Sequence, residues 1–418
     1  MTRLLPPVGL VLAFSLTLSA ADWPQWRGPD RDGVAPGVKL PDKWPDKPPE
    51  PRWTAPVGLG HSGPAIAAGK VFIMGLVEGN ERCLALDADT GKELWKVEYP
   101  EPFVAPDPTA GKGPGATPTV DRDRVYMFGL GGQLHCLDVN SGKVLWKHDC
   151  PKEYWGVKKG PLGDDAWFPP CGATASPLAD GDTVIVNVGG AKAGAFTAFD
   201  RKSGEIAWKA LDDRSSYASP VIRSPGGVEQ LICFTGTRMV GLRHADRELL
   251  WEVPFKARFE QTIVSPVVWK DLVLVAGEGK ATTAYRLKGD GSTVTKEEAW
   301  KNQDLKTYLT TPVVVGDHLY GHDLRTGKVV CVPMATGETA WTSARVPGKY
   351  HSIVAAGGQL LVLNSEGELT VFKADPKECV QLGKWTFAEK GTWGHLAVAD
   401  GRLYVKGKEN LFCYDLPG

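Results

Sequence analysis

An eight-bladed β-propeller of four-stranded antiparallel blades, with the ring closed by the N-terminal strand, is the fold the sequence predicts. Three observations predict it. The first is a recurring hairpin, Ala85-Leu86-Asp87-Ala88-Asp89-Thr90-Gly91-Lys92-Glu93-Leu94-Trp95, which returns at Cys136–Trp146 and Ala198–Trp208, and more loosely at Gly241–Trp251 and Cys331–Trp341. Alternating apolar residues lead to an Asp whose carboxylate bonds nearby turn amides, a Gly takes positive φ, and an alternating run then carries a Trp. The second is a Trp ladder, Trp53, Trp95, Trp146, Trp208, Trp251, Trp300, Trp341 and Trp385, at intervals of 41 to 62 residues, a period of radial β arrays. The third is a mismatch between the two ends. The tail supplies three strands and lacks a fourth, while Trp53 heads a strand with no hairpin of its own. Pairing them completes the eighth blade and removes two exposed sheet edges.

Residues 1–21 read as a signal peptide: Arg3, an apolar run from Val8 to Leu18, and small residues at Ser19-Ala20-Ala21. That run is too short to span a bilayer, and no other stretch approaches membrane length. Residues 22–50 form an irregular Trp/Pro-rich segment, whose Trp23 and Trp26 are expected to act as pegs on an apolar surface. The propeller then occupies 51–418, with blades at 58–100, 101–150, 151–211, 212–257, 258–303, 304–345 and 346–388 before the shared eighth. Most blades open with a Ser/Thr-Pro pair, such as Thr117-Pro118, Ser176-Pro177, Ser219-Pro220, Ser265-Pro266 and Thr311-Pro312.

Charge is balanced, 48 basic against 49 acidic residues, and no Lys/Arg run stands out, so no nucleic-acid footprint is expected. Of eight Cys, Cys136, Cys331 and Cys413 share the repeat position of Ala85 and Ala198, as small core residues do. Cys150 and Cys171 bracket the longest insertion, where export would permit a disulfide. No Cys/His cluster has zinc spacing. Asp30-x-Asp32-Gly33 is a calcium-loop fragment without its later ligands, and His318…His322 lies in strand sequence rather than on a helix.

Two surfaces are candidate sites. Loops entering the innermost strands gather at one channel mouth and carry His61, Thr174, Tyr217, Tyr350, His351, Trp393 and His395, suited to a small ligand. The insertion carries Tyr154, Trp155, Trp167 and Phe168, suited to a protein partner or a glycan.

The Ala/Cys-x-Asp-x-x-Thr/Ser-Gly-x-x-x-Trp hairpin resembles the tryptophan-docking motif of quinoprotein (PQQ) propellers. The resemblance covers about residues 50–418 and implies that Trp95, Trp146 and Trp208 stack between neighbouring blades. Trp23-Pro24-Gln25-Trp26-Arg27-Gly28-Pro29 looks like the start of secreted bacterial PQQ-repeat proteins. The alcohol dehydrogenases of that family use an adjacent-cysteine disulfide, calcium held by Glu and Asn, and an Asp base. No residue here matches those positions, so neither PQQ nor Ca2+ is expected. BamB-type outer-membrane assembly scaffolds are similar in size and blade number, although the lipobox that tethers them is lacking. The expected function is therefore a monomeric, non-catalytic, periplasmic or secreted binding module for an envelope protein, a small molecule or a glycan. A quinone-dependent dehydrogenase and a saccharide-processing protein are the alternatives.

Overall fold

The computed structural model describes residues 22–103, 112–155, 171–190, 194–257, 262–291, 293–387 and 389–417, with the side chain of residue 155 excepted. Residues 1–21, read from the sequence as a signal peptide, the side chain of Trp155, and Trp167 and Phe168 lie outside the described residues. What is described forms eight sheets, each with four antiparallel strands that in the first seven run in sequence order from the channel outward. In the eighth sheet, Ala397–Ala399, Arg402–Lys406 and Asn410–Asp415 are completed by Trp53–Pro56, with Trp53 opposite Cys413 and Ala55 opposite Leu411. The ring closes head to tail.

The ten-residue spacing follows from register. Ala85, Cys136, Ala198, Gly241 and Cys331 each sit directly across from the Trp of their hairpin. Ala284 faces Trp300 in the same way. A large indole on the outermost strand needs a small partner beside it, and those partners are buried. Five of the indoles then reach into the next blade. Trp53 Nε1 donates to Ala88 O at 2.9 Å, Trp95 to Val139 O at 3.2 Å, and Trp146 to Arg201 O at 3.1 Å. Trp300 and Trp341 do the same with Met334 O and Asp375 O, both at 2.8 Å. Burying one indole contributes about 4–6 kcal/mol gross.

The worn copies solve the same problem differently. Blade four has Arg247 where a hairpin Gly is expected. Arg247 accepts φ of 69° and lays its guanidinium 4.3 Å from the centre of the Trp208 ring. Trp251 bonds Gln230 Oε1 within its own blade. In the eighth blade the last two strands come from opposite ends of the sequence, so no hairpin joins them. Residues 44 and 45 take its place: Trp385 Nε1 donates to Pro45 O at 2.9 Å, and Trp44 meets Trp385 edge-on at 4.6 Å.

Gly142 shows how close the docking is. Its φ is 70°, and a β-carbon there would lie 2.7 Å from the Trp95 ring. Gly181, with φ of 58°, has nothing within 4 Å. Both Gly→Ala changes are expected to cost about 1–2 kcal/mol of backbone strain. Only Gly142→Ala should add a further loss from displacing Trp95, and parallel urea titrations of the two variants read that difference.

The Ser/Thr-Pro openings form a second, inner tie. Thr117 N donates to Ser176 Oγ, Ser176 N to Ser219 Oγ, Ser219 N to Ser265 Oγ, and Ser265 N to Thr311 Oγ1, at 2.9 to 3.4 Å. Each hydroxyl caps an amide of the preceding blade, so blades two to six are linked around the channel.

The irregular N-terminal segment has its Trp23 buried in the apolar core beside Ile66. It threads the channel. Trp23 exchanges both backbone hydrogen bonds with Ile66, each at 2.8 Å, and Val120 N donates to Pro24 O at 2.8 Å. Arg31 Nη1 donates to Pro177 O at 2.8 Å, and Arg223 donates to Asp30 O. Trp26 Nε1 donates to Ser265 Oγ, Arg27 to Thr311 O and Pro312 O, and Val34–Ala35 adds a parallel strand to His351–Ala356. Trp26 also meets His395 of the eighth blade at 4.9 Å. Every blade is touched. Inner strands have one free edge each, and their amides and carbonyls need partners once water is excluded.

Candidate site at the channel mouth

With the channel stoppered, a cavity of about 660 Å³ remains at the mouth formed by the loops that lead into the inner strands. All eight blades contribute to its lining. Of the expected residues, His61, Thr174, Tyr217, Tyr350 and Trp393 line it. His351 and His395 do not. His351 is buried, stacks on His322 at 3.5 Å, and has Nε2 bonded to Pro347 O at 2.9 Å. His395 lies beneath Trp26 with Nδ1 bonded to Leu396 O at 2.9 Å. His351 opens the buried strand His351–Ala356, whereas His395 precedes the strand Ala397–Ala399 and is covered by the segment that fills the channel.

Sequence reasoning overlooked Trp26, which forms part of the lining, and Tyr308 and Cys171 beside it. The two Trp of the opening segment were the available signal, but nothing local says that they enter the channel. One wall is a ladder of rings: His61 against Trp393 at 5.3 Å and 21°, and Trp393 against Tyr350 at 5.7 Å and 7°. His61 is held neutral, since burial and nearby Lys406 bring its pKa down to about 4. Burial likewise takes Lys406 down to about 8, with Nζ donating to Gly407 O and Lys408 O.

Behind Leu130, which also lines the cavity, sits a carboxyl pair. Glu81 Oε1 accepts from Leu130 N at 2.9 Å and Oε2 from Tyr99 Oη at 2.5 Å. Glu101 Oε2 accepts from Gly131 N at 3.0 Å and Oε1 from Phe103 N at 2.8 Å. Burial, opposed by these donors, raises Glu81 to about 7. Perturbed carboxyls often mark catalysis, but this one is wholly buried and clamps a turn. A raised folded-state pKa makes the folded protein bind more protons than the unfolded chain. That stabilisation is complete below about pH 4.5 and is lost as pH rises through about 7. Glu81→Gln is therefore expected to flatten the fall in unfolding free energy between pH 5 and 8, read from denaturant midpoints.

In the insertion, Tyr154 lies in the short helical turn Pro151–Trp155 and folds back, its hydroxyl 3.2 Å from His148 Nδ1 and its ring beside Phe199. It is part of the blade packing rather than an exposed platform. Cys150 and Cys171 are free thiols, so the disulfide that the spacing permits is not formed. Cys150 is sealed in the apolar core of blades two and three, while Cys171 faces the mouth. His318 pairs with Asp317 at 2.6 Å and His322 with His351, so the two do not converge. Among the described residues no group of three His, Cys, Asp or Glu could hold a metal ion.

A family model described as outer membrane protein assembly factor BamB matches residues 80–343. The protein of that name from Shewanella oneidensis is 21% identical over 351 residues, 82% of this chain and 71% of that protein. The lanthanide-dependent methanol dehydrogenase of Methylacidiphilum fumariolicum is 36% identical over 90 residues, 20% of this chain but 13% of the dehydrogenase. The quinohemoprotein alcohol dehydrogenase ADH IIB of Pseudomonas putida is 29% identical over 140 residues, and the match spans 17% of its length. The solved structure of quinohemoprotein alcohol dehydrogenase from Comamonas testosteroni superposes with a TM-score of 0.64 at 12% identity, covering 95% of this chain and 81% of that one. That likeness is one of fold. A lanthanide is a hard cation that takes several oxygen ligands. Among the described residues no Asp, Glu or Asn lines the mouth cavity, so the donor set does not fit one.

Proposed function

We propose that this chain, which belongs to the family described as outer membrane protein assembly factor BamB, works as a non-catalytic binding propeller in the cell envelope. Its working surface is the channel mouth, and it operates without a quinone or a metal. The observation that carries this reading is the one-ended cavity. It is walled by rings and hydroxyls and floored by the chain's own N-terminal segment, and the described residues place no acid–base pair in it. Glu81 and Glu101, whose proton affinity burial raises, accept from backbone amides behind Leu130. An assembly role on envelope proteins is what the name of the Shewanella relative suggests, and 82% of this chain aligns with it.

The test is photo-cross-linking in cells that export the protein. A photoreactive residue replaces Tyr308 or Lys349 at the rim, or Glu297 on the outer strand as a control. Rim positions are expected to capture an envelope component that the control does not. Capture only from position 297, or dye-linked alcohol oxidation after reconstitution with PQQ and calcium, would reject the proposal.

A further inference from the structure

We infer that the mouth cavity takes a neutral polyhydroxylated ring, a saccharide, held between aromatic faces and hydroxyl donors. This rests on the reading of the mouth as the binding surface and gives it a ligand class.

Size comes first. About 660 Å³ lies within the range of roughly 300–1,000 Å³ typical of small-molecule sites. Next come the groups that face the space. Trp26 and Tyr308 offer ring surface for the C–H face of a sugar, and the stacked His61, Trp393 and Tyr350 close one wall of the cavity with ring edges. Trp26 is held in place by its bond to Ser265 Oγ at 3.1 Å and by the His395 edge. Ser219 and Thr311 use their hydroxyl oxygens to accept from Ser176 N and Ser265 N. Each still carries a proton to donate to a ligand oxygen. Neutral His61 presents one donor and one acceptor nitrogen, as a hydroxyl group requires.

Other ligand classes fit less well. An extended peptide would add to a free sheet edge, but residues 22–35 already pair with the inner strands. An anion would want converging cations. Among the described lining residues Lys349 is the one permanent cation, and it is exposed at the rim. A quaternary ammonium would suit the rings but leave the hydroxyl donors without acceptors, a cost that a sugar avoids.

The experiment is calorimetric titration of the full exported protein with neutral mono- to tetrasaccharides, with choline and succinate as contrasting probes. At least one saccharide should bind, and Trp393→Ala should weaken it about tenfold. Because Trp393 is packed between two rings, Tyr308→Ala provides a second variant at a half-exposed position, with the same direction expected at an unchanged melting temperature. Binding of choline or succinate in place of sugars, no binding of any saccharide, or saccharide binding unaltered in both variants would overturn the inference. If saccharides fail while rim cross-links persist, only the ligand class falls. If both fail, the binding reading falls with it.

Discussion

Trp53→Ala is expected to lower the unfolding free energy by about 3–5 kcal/mol, the range for truncating a buried aromatic. Trp53 is 7% exposed and does three things at once. It starts the strand that pairs with Asn410–Asp415, it covers Gly91 of the first blade, and its Nε1 donates to Ala88 O. Losing it leaves a cavity at the one seam where the ring is closed by hydrogen bonds and packing rather than by a continuous chain. Trp341→Ala, at 9% exposure, removes an equivalent indole inside the continuous chain. The two losses should be similar in urea titrations. The Trp53 variant should in addition show hydrogen exchange concentrated in residues 402–415, because the freed edge can fray while the sixth blade remains tethered on both sides. Equal exchange patterns in the two variants would count against the seam being special.

Arg27→Ala is expected to cost about 4 kcal/mol or more. The guanidinium is 2% exposed and donates to Asp32 O at 2.6 Å, Pro312 O at 2.7 Å and Thr311 O at 2.8 Å. Hydrogen bonds from a charged donor contribute about 1.5–3 kcal/mol each, and their loss leaves buried carbonyls without partners. Burial lowers the Arg27 pKa to about 10, which still leaves it charged at neutral pH. Backbone carbonyls, with the Asp32 carboxylate nearby, are enough to hold the charge in place. The variant should also admit protease cleavage within residues 22–35 under native conditions, since Trp26 and the Val34–Ala35 strand lose their anchor. Arg27→Lys keeps the charge but lacks the planar fork, so an intermediate loss is expected. Stability without change in either variant would mean that the segment is held by its aromatic residues alone.

The ring itself was legible because its signals are local. In six of the hairpins a small residue directly opposite the Trp is a cross-strand contact, so Ala85 and Trp95, or Cys136 and Trp146, announce their pairing by spacing alone. The candidate site was legible in outline, since knowing the blade phase places His61, Thr174, Tyr217, Tyr350 and Trp393 on one rim. The same phase could not separate these from His351 and His395. One step along the strand separates Tyr350 from His351, and boundaries read from sequence are not sharp to one residue, while His395 is hidden by Trp26, a residue far from it in sequence. Cys150 and Cys171 show the same limit, because spacing permits a bond but not the direction in which each thiol points.

From its order of residues alone, then, the chain determines how many blades form, on which strand each Trp stands and how the two ends meet, because all three follow from periods of two residues and of one blade. Tertiary structure decided what fills the hole. Residues 22–35 have no periodicity, and their partners stand as far away as Ala355. Only once eight inner edges are brought around a common axis do their unpaired amides and carbonyls create a place for that segment. Its Trp26 then turns an open channel into a cavity closed at one end.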